Sequence, residues 1–308
     1  MKCRLCDSTA IAALPRHNSG FCRTHFIEFF QKQVRKAIRK YAMFSRKDRL
    51  LVCVSGGKDS LTLWHVLNES GYDTTGLYID LGIGGYSRAS LEKAESFAEG
   101  IKRELIVVDF AREYADIKRL AALSKRTDCS TCGVVKRYFF NRVALEQGFD
   151  VVATGHNLDD EAARLLGNIL RWQIDLVRKQ SPLLDSDEGL VKKVKPLFRL
   201  TEQEIAIYAF LNRIDYLREE CPMSRGTTGL IYKDILNRIE LESPGTKHFF
   251  YFQFLERRDD LFSDGAVERK DRPSLCRRCG MPCSEQVCAF CRLTDYLKRS
   301  GQTPDEPA

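Results

Sequence analysis

No window of the 308-residue chain approaches the roughly 18 consecutive apolar residues that a membrane-spanning helix requires. The opening stretch MKCRLCDSTA has neither the apolar segment nor the small-residue cleavage site of a secretory signal. Both absences lead to the expectation of a cytoplasmic protein with no membrane partner. No internal repeat exceeds a CxxC knuckle, which excludes solenoids and propellers. Low-complexity sequence is confined to a Pro-rich, acidic tail after Ser300. Acidic residues are in deficit, 42 against 49 Lys and Arg, for a net charge of +7. The surplus is densest in RKAIRKYAMFSRKDR (35–49) and KKVKPLFR (192–199), a distribution that suits a polyanionic partner. Hydrophobic residues make up 44% of the chain, enough for one sizeable core with small satellites.

Cysteine, by contrast, is plentiful. The twelve fall in groups: Cys3, Cys6 and Cys22; Cys53; Cys129 and Cys132; Cys221; and Cys276, Cys279, Cys283, Cys288 and Cys291. In a reducing compartment, CxxC pairs serve metal or redox chemistry rather than a disulfide framework. Cys3 with Cys6 and Cys22 with His25 form two knuckles that together offer four ligands to a tetrahedral zinc ion. Cys276 with Cys279 and Cys288 with Cys291 repeat the arrangement in a stretch too short to order itself around a core. Four ligands leave no open position, so both zinc ions are expected to be structural. Cys283 reads as a bystander. Cys129 and Cys132 have no second knuckle nearby, and their one partner within reach of a reading is Cys221. Three thiolates suit a 4Fe-4S cluster whose fourth iron is open, and a redox or persulfide-carrying pair is the rival reading.

Between these sites the apolar pattern changes period. Phe26, Phe29, Phe30, Val34, Ala37, Ile38 and Tyr41 recur at three and four, with Lys32, Arg35, Lys36, Arg39 and Lys40 on other faces. This predicts an amphipathic helix with a basic side. From Arg49, short apolar runs alternate with helical patterns: 50–54, then a helix near 59–68; 75–79, then a helix near 88–101; 105–108; and 151–154, then a helix from about 159. That order predicts an α/β fold, a doubly wound parallel sheet with helices on both faces. From 194 onward the patterns are helical, with no further clear strand. The expected organisation is an N-terminal zinc finger (1–25), a basic linker helix (26–48), an α/β core (49–193), a helical extension completing the active site (194–270), a C-terminal zinc finger (271–300) and a tail (301–308).

In such a sheet, ligands bind beyond the carboxyl ends of the strands. The first strand ends in Ser55, Gly56, Gly57, Lys58, Asp59 and Ser60, the second in Asp80, the third in Asp109, and the fourth in Gly155, His156 and Asn157. The first loop has neither the GxxxxGKS nor the GxGxxG spacing. Its paired glycines let backbone N–H groups approach an anion, a helix N-terminus follows, and Lys58 adds a full charge. Ser55 and Ser60 supply hydroxyl donors, and Asp59 is placed to hold Mg2+ on the phosphates. Phosphate binding is therefore the expected task, with Asp80, Gly155 and His156 beside the nucleotide. His156 reads as a base or, somewhat more readily, as a satisfied hydrogen-bonding residue.

SGGKDS resembles the pyrophosphate loop of the Rossmann-like N-type ATP pyrophosphatases, which activate an oxygen with AMP and release pyrophosphate. Together with CSTCGVVKRYFFNR, ATGHNLDDEA, VKPLFR, EECPMSRGTT and the terminal knuckles, the chain resembles the TtcA/TtuA family of tRNA 2-thiolation enzymes, most closely the TtuA type. The resemblance runs from Cys3 to about Cys291. It implies ATP on Ser55, Gly57, Lys58, Asp59 and Ser60, and an oxygen-sensitive 4Fe-4S cluster on Cys129, Cys132 and Cys221. It also places Lys136 and Asp160 near the catalytic centre, beside Asp59. The implied reaction is adenylation of the 2-oxygen of a tRNA uridine, ribothymidine 54 in the T loop, followed by sulfur displacing AMP. The implied sulfur donor is a thiocarboxylate on a ubiquitin-like carrier protein, and the implied assembly is a homodimer. Thiolation of wobble uridine 34, or an AMP-forming synthetase or amidotransferase acting on a small molecule, stand as alternatives.

Overall fold

The computed structural model describes residues 1–186, 189–224, 226–262 and 274–300. Its first helix shows how the pattern becomes structure. Phe26, Phe30, Val34, Ala37 and Ile38 are buried along one side of α1 (Arg23–Lys40), while Lys32, Arg35, Lys36, Arg39 and Lys40 are exposed on the other. A small antiparallel hairpin, β1 (Ala12–Leu14) with β2 (Ser19–Phe21), precedes it.

The alternating region follows with β3 (Arg49–Cys53), α2 (Lys58–Glu69), β4 (Asp73–Asp80), α3 (Gly84–Gly100) and β5 (Leu105–Asp109). Three helices come next, α4 (Phe110–Glu113), α5 (Ile117–Ser124) and the long α6 (Asp128–Glu146). The chain then returns to the sheet through β6 (Val151–Thr154), α7 (Leu158–Leu170), α8 (Ile174–Lys179), β7 (Leu183–Leu184) and β8 (Lys192–Val194). The extension is helical: α9 (Glu202–Leu211), α10 (Thr228–Glu242) and α11 (Thr246–Leu261). A two-stranded pair, β9 (Ser274–Leu275) with β10 (Pro282–Cys283), and α12 (Ala289–Arg299) build the C-terminal module.

The six central strands lie in the order β5-β4-β3-β6-β8-β7, parallel throughout except for the antiparallel edge strand β7. Successive residues of a strand point to opposite faces, so β3 feeds two cores at once. Leu50 and Val52 pack with α1, α2, α7, α9 and α11, whereas Leu51 and Cys53 pack with α5, α6 and α12. The fold is thus the expected doubly wound α/β sheet. Strands β7 and β8 were not expected: β8 ends at Val194 and pairs with β6 in parallel and with β7 antiparallel, while after 194 the expected helical run is interrupted, among the described residues, by the short pair β9–β10. Residues Lys192 and Lys193 gave β8 the look of a basic segment. The expected tail, 301–308, and the boundary near 270 lie outside the described residues.

Chain order also fixes where a ligand belongs. β3 pairs with β4 on one side and β6 on the other, and the connections leave those strands in opposite directions. The crevice at that switch point opens between the 55–60 loop and the 155–157 loop.

Candidate functional site

The loop after β3 is built so tightly at Gly56 that only glycine fits there. Gly56 has φ +70, and a Cβ there would sit 2.2 Å from the Ser90 carbonyl oxygen. Its own carbonyl accepts the Leu217 N–H at 2.9 Å, so the segment after α9 pins the loop from outside. Gly57 is the N-cap of α2 and has no side chain to occupy the helix's free N–H groups. The Ser60 hydroxyl accepts the Ser55 N–H at 3.1 Å and donates to the Gly57 carbonyl at 3.0 Å, closing the loop on itself. Gly155 completes the approach, since a Cβ there would lie 3.0 Å from the Ser60 nitrogen. The result is a backbone cradle at a helix N-terminus, with the positive end of the dipole facing the crevice.

Beyond the cradle runs a chain of alternating charges contributed by four helices. Lys58 Nζ lies 2.6 Å from Asp59 Oδ1 and 3.5 Å from Glu202 Oε1. Lys233 Nζ, from α10, lies 3.5 Å from Glu202 Oε2 and 2.6 Å from Asp160 Oδ1. Asp160 is locked from below as well, because its side chain and that of Asn157 cap each other's backbone N–H at 3.1 Å. Burial raises the Asp59 carboxyl above its ordinary value; Lys58 opposes this, and the Asp160 and Glu202 charges add to it. Burial acts in the same direction on Asp160, but there the Lys233 ammonium and the other partners prevail and hold it below the ordinary value. Lys233, between carboxylates, is held firmly in its charged form.

On the other side of the 55–60 loop lies a cavity of about 110 Å³. Ser55 of the loop lines it together with Cys53, Cys132, Lys136 and Cys221, and Tyr78, Ile79, Leu81, Ile83, Tyr86 and Phe140 make the rest of its wall largely apolar. Cys132 and Lys136 stand one turn apart on α6, whose first turn also carries Cys129. Cys129 Sγ donates to the Met223 carbonyl at 3.1 Å, which ties that turn to the short 3-10 turn Pro222–Ser224 after Cys221. Sequence positions 94 residues apart are therefore brought to one rim. Cys53 is buried and its thiol pKa is pushed far up by desolvation, so it packs as a neutral side chain.

The cysteines of the chain are all free thiols, and the sets differ in how tightly they gather. Among the described residues, two groups bring four ligand atoms within 4.8 Å of one another: Cys3, Cys6, Cys22 and His25, and Cys276, Cys279, Cys288 and Cys291. Cys3 Sγ and Cys22 Sγ stand 3.3 and 3.4 Å from His25 Nδ1, and Cys6 Sγ 3.8 Å from Cys22 Sγ. In the second group, the Cys288 and Cys291 N–H groups donate to Cys276 Sγ at 3.2 Å and Cys288 Sγ at 3.3 Å. Both sets fit one tetrahedral zinc. Cys129, Cys132 and Cys221 form no such knot: Cys132 and Cys221 line the 110 Å³ cavity, and Cys129 is tied to Met223 beside Cys221. Cys283 lies outside the quartet, its thiol on the Glu285 carbonyl.

Other expected residues have local duties. Asp80 Oδ1 accepts the Gly82 N–H at 2.8 Å and shapes the turn after β4. Asp109 caps α4 by accepting the Arg112 N–H at 2.9 Å, so it serves a helix rather than the crevice. His156 stands at the crevice with Nδ1 2.9 Å from Thr154 Oγ1, and burial lowers its pKa, leaving it neutral. Glu202 and Lys233 were not expected at the site. They come from the helical extension, and no spacing in TEQEIAIYAFLNRI or GLIYKDILNRIELE marks them.

With the site described, likeness to known proteins can be weighed against it. Residues 27–225 match the model of the PP-loop domain family, and residues 2–27 match the family described as 2-thiouridine synthetase TtuA, N-terminal LIM domain. The chain is 45% identical over 306 residues to the tRNA-5-methyluridine(54) 2-sulfurtransferase of Thermus thermophilus, covering 98% of this chain and 94% of that one. To the protein of the same name from Thermotoga maritima it is 42% identical over 308 residues, 99% of this chain and 100% of that one. The solved U34-tRNA thiolase NcsA from Methanococcus maripaludis, with its [4Fe-4S] cluster, superposes with a TM-score of 0.79 at 26% identity over 96% of both chains.

Proposed function

The chain belongs to the PP-loop family that includes the tRNA-5-methyluridine(54) 2-sulfurtransferases, and on that premise we propose that it is an ATP-dependent tRNA-uridine 2-sulfurtransferase acting at position 54. The observation that carries the reading is one shared wall: Ser55 of the phosphate cradle and Cys132, Cys221 and Lys136 line the same 110 Å³ cavity. Activation by ATP and delivery of sulfur therefore meet at one carbon.

The uridine 2-oxygen bonds to the α-phosphorus of ATP as the bond to pyrophosphate breaks. Sulfur then bonds to C2, and AMP leaves with the former oxygen. Phosphoryl transfer of this kind needs positioning and charge neutralisation more than covalent help. The backbone N–H groups at 56–60 and the Ser55 and Ser60 hydroxyls cradle the pyrophosphate, and Lys58 turns from Asp59 and Glu202 to the phosphates. Asp59, so released, accepts Mg2+. Asp160 is held ionised by Lys233 and faces the crevice beside Gly155 and His156. Lys136 brings a positive charge to the anionic centre at C2. Cys129, Cys132 and Cys221 would hold a 4Fe-4S cluster, which would supply sulfur binding beside the activated carbon. The apolar walls, Ile79 to Phe140, keep water from the adenylated base.

The two zinc sets end the chain as structural modules, residues 1–25 and 271–300, around a linker helix, the core and the extension. No helix is long and apolar enough to cross a membrane among the described residues, and the free thiols of exposed Cys129 and half-buried Cys132 and Cys221 suit the reducing cytoplasm. The sulfur arrives as a thiocarboxylate on a ubiquitin-like carrier protein. The working form is a homodimer, and exposed Leu170, Trp172, Ile231 and Ile235 on neighbouring α7 and α10 and their flank offer an apolar face for it. Likeness to NcsA favours wobble uridine 34 as a second reading of the target.

Anaerobic purification, iron and labile-sulfide assay, and nucleoside mapping of tRNA after incubation with ATP and sulfide test the proposal together. About four irons per chain and 2-thiolation at position 54 are the expected outcome. Thiolation at position 34 would move the target, and thiolation independent of ATP or of Lys58 would overturn the mechanism.

A further inference from the structure

Four cations on α6, α7 and β8 have no anion among the described residues. Lys136 and Arg137 sit on α6, Arg164 on α7 and Lys193 on β8, and none has a hydrogen bond or ion pair among the described residues. They also act on one another. Desolvation and then the Arg164 charge both work against the Arg137 cation, and desolvation and Arg137 do the same to Lys193. The neighbouring charge chain at the phosphate cradle shows the contrast, since there every lysine has a carboxylate within 3.5 Å.

The arrangement is held open by sequence. Arg137 lies back along its own helix over Gly133, where a Cβ would come within 3.0 Å of its Nη1. Only the missing side chain gives the guanidinium room to reach toward the turn of Cys132. Arg137 and Lys193 also line a cavity of about 270 Å³ between α6, β8 and the C-terminal zinc module. In the same wall Asn141 Oδ1 accepts the Val191 N–H at 2.9 Å and Arg292 is paired with Glu285, which leaves Arg137 and Lys193 as its charged groups without a counter-ion among the described residues.

We infer that Arg137, Arg164 and Lys193 form a phosphodiester-binding rim, which grips the tRNA backbone next to the nucleotide that enters the cavity at Cys132. This rests on the tRNA reading above. A single carboxylate from a protein tail would leave most of the charge unmet, whereas consecutive phosphates match a row of cations. Guanidinium forks match phosphate oxygens two at a time. It also moves the main contact away from the basic face of α1, where a solvated row of lysines needs no partner.

The test uses the full chain, anaerobically reconstituted, with an unmodified tRNA transcript as probe and binding followed by fluorescence anisotropy across a salt series. Arg137→Glu and Arg164→Glu, both at exposed positions, and the milder Lys193→Gln are each expected to weaken tRNA binding about tenfold and to lower the salt slope by about one. Lys47→Glu, in the turn before the amino end of β3, should move neither, and ATP affinity and iron content should be unchanged throughout. Rim variants that bind tRNA as wild type overturn the inference. So does an outcome in which they keep tRNA affinity but lose transfer from a protein-borne thiocarboxylate while retaining transfer from sulfide, for the rim would then be a carrier surface. If the wild type shows no salt-dependent tRNA binding, the underlying functional reading fails instead.

Discussion

Gly56 and Lys233 are the two positions where a single side chain decides most. At Gly56 a left-handed backbone and the 2.2 Å approach to the Ser90 carbonyl act together, so Gly56→Ala must displace either the loop or α3. The expected result is an ATP affinity at least tenfold weaker by calorimetry, with the far-ultraviolet dichroism of the native fold retained. Lys233 is the ion-pair partner of Asp160 and shares Glu202 with Lys58. Lys233→Met leaves a mostly buried carboxylate without its cation, a loss that costs about 3–5 kcal/mol when burial is complete and less at this partly exposed pair. We expect kcat/KM for ATP to fall by one to two orders of magnitude, and Lys233→Arg to recover most of it. The sign of the pH effect follows from the Asp160 shift. Its folded pKa is depressed, so the clasp is present above the ordinary carboxylate value and is lost only as pH falls through the depressed one. Lys233→Met removes the cause, so the acidic limb of the pH profile should move up toward neutrality, which initial-rate measurements between pH 4 and 8 would register.

Among the elements, α6 carries the largest share of the function through the smallest feature. Thr127 caps it, its hydroxyl accepting the Ser130 N–H at 3.3 Å, and the capped turn presents Cys129 and Cys132. Thr127→Ala should cost about 1 kcal/mol and fray that turn. The expected readout is a lower iron content after reconstitution with zinc unchanged at two per chain, restored by Thr127→Ser. This helix also shows where the sequence could be read and where it could not. Its cysteine spacing announced a metal, but its apolar residues face both the sheet and the cavity, with Val135 and Phe139 buried on one side and Cys132 and Lys136 on the other, and the usual stripe is blurred. β8 was hidden for another reason, a three-residue ladder of which two members are lysines. The 55–60 loop was legible because its chemistry is local: strand, glycines, lysine and helix follow one another. Glu202 and Lys233 meet that loop only through packing of α9 and α10 on α2 and α7, and a single sequence holds no trace of that contact.

Over the whole molecule the histidines set the response to acid. Burial lowers the pKa of His17, His65, His156 and His248, with His17 and His248 taken down to about 4, and Arg16 and Arg199 add to the effect on those two. His25 goes the other way, raised chiefly by its hydrogen bond with Cys3. A histidine neutral in the fold and free to charge in the unfolded chain means that the unfolded state binds more protons between the ordinary value of 6.5 and the folded one. Stability is therefore complete above about pH 6.5 and declines steadily toward pH 4. The two strongest contributors are not in the sheet. His17 sits where Arg16 reaches Glu204 Oε2 at 2.6 Å and joins the N-terminal module to α9, and His248 stacks on Phe252 of α11 with ring centroids 4.0 Å apart. Acid should thus loosen the N-terminal module and α11 before it reaches the phosphate cradle. Thermal unfolding at pH 7.5, 6 and 5 is expected to show a falling midpoint in the wild type and a flatter series in the double variant His17→Gln, His248→Gln. Hydrogen exchange at pH 5 should find the loss of protection in α1 and α11 ahead of β3 and β6. An equal loss across the sheet, or a slope untouched by the double variant with zinc still bound, would place the acid-sensitive groups elsewhere.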